Sequence, residues 1–143
     1  MFLVEGEHLV IEAKKSGCLI EVIRCEDYEL DFDVSGWKEF VLGNLFEIKK
    51  GKRLTAEDQE EGNNNYIGAI DSNNGIANHI GQAPIHSGNT ITLSYDGSIG
   101  EAFYQDEMFW ASDDVNVLYP KFEMNREIAF FIIPLLKTAG KRY

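Results

Sequence analysis

The sequence predicts an α+β domain built on a curved, largely antiparallel β-sheet with flanking helices. Three observations predict it. Short β-branched and aromatic runs, punctuated by Asn and Gly, fill the middle of the chain. One long helical period follows them. The 143-residue length, with 44% hydrophobic and 26% charged residues, suits a single soluble core. Nine Phe, six Tyr and two Trp supply its packing.

The elements follow in order. Residues 1–36 carry three basic and nine acidic side chains and read as an acidic N-terminal appendage. Within them Leu9–Ala13 and Cys18–Cys25 flank a Lys15-Ser-Gly17 turn signal, which predicts a hairpin and then a connector. A second unit, residues 37–143, begins with the apolar set Trp37, Phe40, Leu42, Leu45, Phe46 and Ile48. The Leu42–Ile48 part predicts a short helix. Thr55-Ala-Glu-Asp58 resembles a capping box and predicts a second short helix, stopped by Gly62. Strands are predicted at Tyr66–Ile70, Thr90–Tyr95, Glu101–Tyr104 and Val115–Tyr119, in one sheet, with turns at Asp71–Gly75 and Asp96–Ser98. Asn125 caps the long helix, which runs to Ala139, and Pro134 should kink it or end its regular part. The predicted core comprises Trp37, Phe40, Leu45, Phe46, Ile67, Ile91, Leu93, Phe103, Val115, Val117, Ile128, Phe131 and Ile132.

Charge narrows the function. Thirteen basic and 24 acidic residues give a net charge of −11. Such a surface repels nucleic acids and anionic membranes at long range, so any contact with phosphate must rest on a local patch. Cys18 and Cys25 make no disulfide framework, and with three His they cannot supply a closed zinc site. The start lacks the basic segment and long apolar run of a secretory signal. No apolar stretch approaches membrane-spanning length. A cytoplasmic protein without cofactor or metal is expected.

The candidate binding residues are basic and amide side chains. Lys49, Lys50, Lys52 and Arg53 occupy four of five consecutive positions around Gly51, which lets the backbone approach a phosphate. Lys137, Lys141 and Arg142 form a second group. The competing reading of the first group is a solvated loop whose cations favour a helix C-terminus. Asn73 and Asn74 can pair with adenine edges, and Tyr95 and Ser98 can bond bases or phosphates. The competing reading is that Asn73-Asn-Gly75 is simply a turn. Enzyme readings are weaker. Asp96, Asp113 and Asp114 form a candidate divalent-metal set, but Val115–Lys121 lacks the acid that a nuclease core places before its Lys. There is no Walker loop, dinucleotide fingerprint or nucleophile elbow, and His8, His79 and His86 have no partner that sequence names.

Four blocks resemble a known family. They are Trp37-Lys-Glu-Phe-Val-Leu-Gly43 through Arg53, Tyr66-Ile-Gly68 with Ser72–Ile76, Ile91–Gln105, and Phe109–Lys121. Their order resembles the target recognition domain of type I restriction–modification specificity subunits. The chain is especially similar to the specificity subunits of BcgI-like systems. The resemblance covers about three quarters of the chain, from Trp37 onward.

The resemblance implies a non-catalytic module that reads double-stranded DNA for a partner methyltransferase and a restriction subunit. Lys49, Lys50, Lys52, Arg53, Lys141 and Arg142 are then expected at phosphates, and Asn73, Asn74, Tyr95 and Ser98 at the DNA face. A homodimer is among the assemblies it allows. Family domains continue past a basic-Tyr segment like Lys141-Arg-Tyr143 into a spacer helix, so the domain is expected to be C-terminally incomplete. The alternative is a protein-interaction or DNA-mimicking module on the same scaffold. Acidic side chains interleaved with the basic groups would favour that alternative.

Overall fold

The computed structural model describes residues 41–140. The chain opens with a single helical turn, α1 (Leu42–Leu45), which leads directly into strand β1 (Phe46–Lys50). Strands β2 (Glu61–Ile67), β3 (Ile76–Ile80), β4 (Thr90–Ser94), β5 (Ala102–Gln105), β6 (Phe109–Ala111) and β7 (Val115–Pro120) follow, and helix α2 (Arg126–Gly140) closes the fold. The α+β class and the antiparallel bias agree with the sequence. The single predicted sheet does not: the strands form two. One has the order β1-β7-β4-β5 and is antiparallel throughout. The other has the order β3-β2-β6, with β2 antiparallel to β3 and parallel to β6.

Alternation along β7 explains the layering. Successive strand residues face opposite sides of a sheet. Leu118 joins Phe46, Ile91, Ala102, Met124, Ile128, Ala129 and Ile132 in a core between the four-stranded sheet and α2. Val115 and Val117, facing the other way, pack with Ile67, Phe109 and Ala111 of the three-stranded sheet. The four-stranded sheet is therefore the middle layer. Its buried polar groups are satisfied: Thr90 donates to the Ser87 carbonyl, and the Gln105 amide donates to Thr92 Oγ1 and to the Asn74 carbonyl.

Several expected elements change identity. The helix expected over Leu42–Ile48 stops at Leu45. From Phe46 the text alternates apolar and charged, and Phe46–Lys50 pair residue for residue with Pro120–Asn116. Inter-strand hydrogen bonds outweigh the weak helical spacing of three apolar residues. The second expected helix shrinks to the 3-10 turn Ala56–Asp58. Gly62 lies inside β2, at a bulge where Glu61 and Asn64 both oppose Ile80. A side chain there would meet the Gly81 backbone at 2.4 Å, so its role is close strand approach rather than helix termination. Strands β3 and β6 had no clear sequence signal.

The long helix starts as expected after its Asn125 cap and runs one residue further, through Gly140, which was expected to end it. Asn125 Oδ1 accepts the Ile128 amide at 2.8 Å, which is an N-cap bond. Pro134 does not end it. The carbonyl that Pro134 leaves without its amide partner belongs to Phe130, a residue on the exposed side of the helix.

Of the expected core, Phe46, Ile67, Ile91, Val115, Val117, Ile128 and Ile132 are buried. Leu45, Leu93, Phe103 and Phe131 are only partly so. Trp37 and Phe40 lie outside the described residues, as does the expected N-terminal hairpin. Phe109, fully buried between the layers, was not anticipated. Phe109→Ala should cost about 3–5 kcal/mol in denaturant unfolding. Phe131→Ala should cost clearly less, since its ring keeps part of its surface in water. Equal losses would mean that the α2 face is assigned incorrectly.

Candidate nucleic-acid interface

The basic segment Lys49–Arg53 is held in place by strand crossing, not by a flexible loop. The Gly51 amide donates to the Val115 carbonyl at 2.9 Å, and the Lys52 amide donates to the Ala111 carbonyl at 2.8 Å. A side chain at Gly51 would sit 1.9 Å from the Ser112 carbonyl oxygen. The glycine expected to admit a phosphate instead admits the β6–β7 turn.

Each lysine of the segment lies over an aromatic ring. Lys49 Nζ is 4.5 Å from the centre of Tyr119, Lys50 Nζ 5.3 Å from Tyr95, and Lys52 Nζ 5.6 Å from Trp110. The Trp110 indole N–H also donates to the Lys52 carbonyl at 2.9 Å, fixing ring and backbone together. Such cation–π contacts stabilise modestly at exposed sites but restrict where a long side chain points. The strand pleat separates the cations. Lys49 shares a face with Val117 and Tyr119, toward the three-stranded sheet, while Lys50 stands on the opposite face.

Acidic groups share this end of the fold. Asp113 and Asp114 form the turn between β6 and β7, and Tyr95 ties that turn to β4. Its amide donates to the Asp114 carbonyl at 3.2 Å and its hydroxyl to the Asp113 carbonyl. Lys50 has its pKa raised, first by hydrogen bonding and attraction to Tyr95, then by the Asp113 and Asp114 charges. Sequence reading missed this proximity, because 63 positions separate Lys50 from Asp113 along the chain. Lys137 is also paired, at 2.8 Å from Glu101, with its ammonium 4.8 Å from the Phe103 ring. Asp96 accepts the Gly97 amide at 2.8 Å, which shapes the β4–β5 turn. Ser98 is half-buried in that turn, where its carbonyl accepts the Glu101 amide. Among the described residues no three His, Cys, Asp or Glu side chains are placed to hold a metal. Lys141 and Arg142 lie outside the described residues.

Asn73 and Asn74 have structural duties. Asn73, Asn74 and Gly75 all take positive φ, at 50°, 55° and 77°. That run disfavours any residue but Gly, Asn or Asp. The Asn74 amide donates to the Tyr104 carbonyl at 3.0 Å, and the Gln105 amide returns a bond to the Asn74 carbonyl at 2.9 Å. The Asn73 amide donates to the Ile76 carbonyl at 3.0 Å. Both side chains stay exposed, but their N–H groups are engaged. The turn reading of this motif holds.

His86 is a packing residue beneath the interface. Its ring is buried and stacked on Phe109 at 5.4 Å, with Nδ1 2.8 Å from the Tyr119 hydroxyl and Nε2 without a partner. Burial, and secondarily the charge of Lys49, lower its pKa below the ordinary histidine value.

Comparison with known proteins places this architecture. Residues 34–143 match the family described as the type I restriction modification DNA specificity domain. The chain belongs to this family. A Heyndrickxia coagulans protein described as the type II restriction enzyme BgcI specificity subunit S.BcgI is 37% identical over 109 residues, which is 75% of this chain and 32% of that protein. The S subunit of a type I restriction–modification system from M. genitalium superposes with a TM-score of 0.55 at 29% identity, over 72% of this chain and 27% of that one. The HsdS subunit of Thermoanaerobacter tengcongensis gives 0.54 at 16% identity, over 92% and 35%, and supports the fold alone. The chain spans about a third of the length of the specificity subunits that it matches. This specificity domain is thus a recognition component of restriction–modification systems and not their enzyme. No helix among the described residues is long and apolar enough to cross a membrane.

Two measurements check the local chemistry. Asn74→Ala should lower unfolding free energy by about 1–3 kcal/mol, since it removes a polar partner of β5 and places alanine in the left-handed region. Asn74→Gly should recover part of that loss by relieving the backbone. A loss as large for Gly as for Ala would assign the whole effect to the side chain. Separately, an unfolded chain takes up a proton at His86 near pH 6.5, before the folded one does. Stability present above pH 6.5 should therefore fall as the pH drops below it. His86→Gln should flatten that part of the unfolding profile and leave the carboxylate-driven loss at lower pH.

Proposed function

We propose that this specificity domain reads double-stranded DNA sequence and directs a partner methyltransferase, and through it a restriction subunit, to the site. Membership of the DNA specificity domain family carries the reading. The end of the fold bearing Lys49, Lys52 and Arg53 is the proposed phosphate grip. Cations resting on Tyr119 and Trp110 are held where a backbone can meet them, which lowers the entropy cost of each contact. Lys141 and Arg142 are proposed to add phosphate contacts. Tyr95, Ser98, Asn73 and Asn74 bound the groove-facing loops. The recognition unit runs from residue 37 to residue 143, with the acidic residues 1–36 as an appendage. Modification acts on chromosomal DNA, so the working compartment is the cytoplasm. Two copies of the domain, as a homodimer, would supply the two halves of a longer site.

A net charge of −11 gives no diffuse attraction to DNA, so affinity must come from few contacts. Each phosphate contact releases counterions and contributes about −0.9 to the log–log salt slope. Lys49→Ala with Lys52→Ala should flatten that slope by about two units and weaken all sequences alike. The measurement is fluorescence anisotropy on a labelled duplex over a salt series, with the methyltransferase subunit present. A second reading is an interaction module, favoured by Asp113 and Asp114 beside Lys50 and by the Lys137–Glu101 pair. Co-purification of the methyltransferase subunit with no salt-dependent DNA binding would select it.

A further inference from the structure

Strand β1 is an outer edge of the four-stranded sheet, and among the described residues no strand pairs with its free side. The opposite edge is closed. At β5 the Asn74 side chain donates to the Tyr104 carbonyl, and the Gln105 side chain donates to the Asn74 carbonyl. An open edge offers its N–H and C=O groups to another chain. The pairing with β7 shows which groups are open. In an antiparallel ladder alternate residues exchange bonds with the partner strand, and those between them point away. The Leu45 carbonyl accepts the Lys121 amide, and the Gly51 amide donates to the Val115 carbonyl. Glu47 and Lys49 are in phase with these and face β7. The backbone groups of Ile48 and Lys50 therefore point outward. Phe46 shares their phase, but its amide is already taken by the Leu42 carbonyl of α1. Every residue from Glu47 to Lys50 is exposed, and Ile48 is an apolar side chain 48% exposed.

The sequence of this edge complements itself. Glu47 and Lys49 flank Ile48 and stand on one face of the strand. An antiparallel second copy centred on Ile48 sets Glu47 against the second copy's Lys49, and Lys49 against its Glu47. These are non-hydrogen-bonded positions, where facing residues come closest, with Cα atoms about 4.5 Å apart. Ile48 meets its own copy on the axis, and their outward N–H and C=O groups exchange bonds. Centring the pair on Glu47 or on Lys49 would set like charges against each other. We infer that the domain associates with a second copy through the β1 edge, joining two four-stranded sheets across a two-fold axis at Ile48. The contact is isologous, the same strand serving both sides. This inference rests on the homodimer named in the proposed function and not on DNA binding. So short an edge belongs to the small, transient end of the interface range, and the association is weak.

Sedimentation equilibrium on the 143-residue chain, over a concentration series without DNA, tests the edge. The wild type should self-associate reversibly. Glu47→Lys alone and Lys49→Glu alone put like charges into both cross-strand pairs, and each should weaken association by about 10- to 100-fold. Mixing the two variants restores opposite charges in both pairs, so the mixture should dimerise at close to wild-type strength. Both variants remain net negative, so diffuse attraction cannot cause that recovery. Ile48→Asp, which brings two carboxylates together on the axis, should also abolish the dimer. A wild type that sediments as a monomer at every concentration sinks the homodimer and this inference together, and leaves the DNA-binding reading standing. A dimer that survives all three substitutions forms through another surface, and the β1 edge is then wrong. A mixture that does not recover, with both variants folded by circular dichroism, overturns the edge pairing as well.

Discussion

Every layer of the domain depends on the two-sidedness of β7. It hydrogen-bonds β1 on one edge and β4 on the other. Its alternate residues supply Leu118 to the helix-side core and Val115 and Val117 to the sheet-side core. A shift of one residue in its register would exchange those faces and break both cores at once. The same strand fixes the interface, since Asp113 and Asp114 precede it and Tyr119, near its other end, lies under Lys49. Both cores and the candidate interface are thus positioned by a single six-residue segment.

The strands legible in the sequence are those with β-branched runs bounded by turn residues. Thr90–Ser94 and Val115–Pro120 are such cases, and both sit in the middle layer. Burial on both faces demands apolar or hydroxyl side chains at nearly every position, so the signal is dense. Strand β3, Ile-Ala-Asn-His-Ile, is exposed over its middle three residues and leaves no such trace. Strand β6 has three residues, too few for any period. Phe46 shows the opposite failure. Its spacing from Leu42 and Leu45 suits a helix, yet the partner that makes it a strand, Pro120, lies 74 positions away.

The candidate site was legible as a list of residues but not as an arrangement. Four adjacent cations read as one patch; strand pleating sends Lys49 and Lys50 to opposite faces. Asp113 and Asp114 read as part of a candidate metal set; they lead into β7 instead, and their nearness to Lys50 depends on the β1–β7 pairing. The rings beneath the lysines are unreadable for the same reason, because each is brought there by a different strand or turn. The amides of Asn73 and Asn74 show how an exposed polar residue can be structural: what engages them is backbone, which carries no sequence signature.

The left-handed turn at Asn73-Asn74-Gly75 also bears on how such a domain could acquire a new target. Positions whose side chains hold the scaffold cannot be exchanged without distorting the frame that aims the rest. Asn74 clasps β5, Gly51 admits a crossing strand, and Gly62 permits a bulge. Variation there is penalised whatever base it would favour. The exposed Asp114 of the β6–β7 turn carries no such burden, since the turn is held through its backbone carbonyls. Diversification is thereby channelled into few places, and a lineage of these domains could exchange an exposed turn side chain while inheriting its support unchanged.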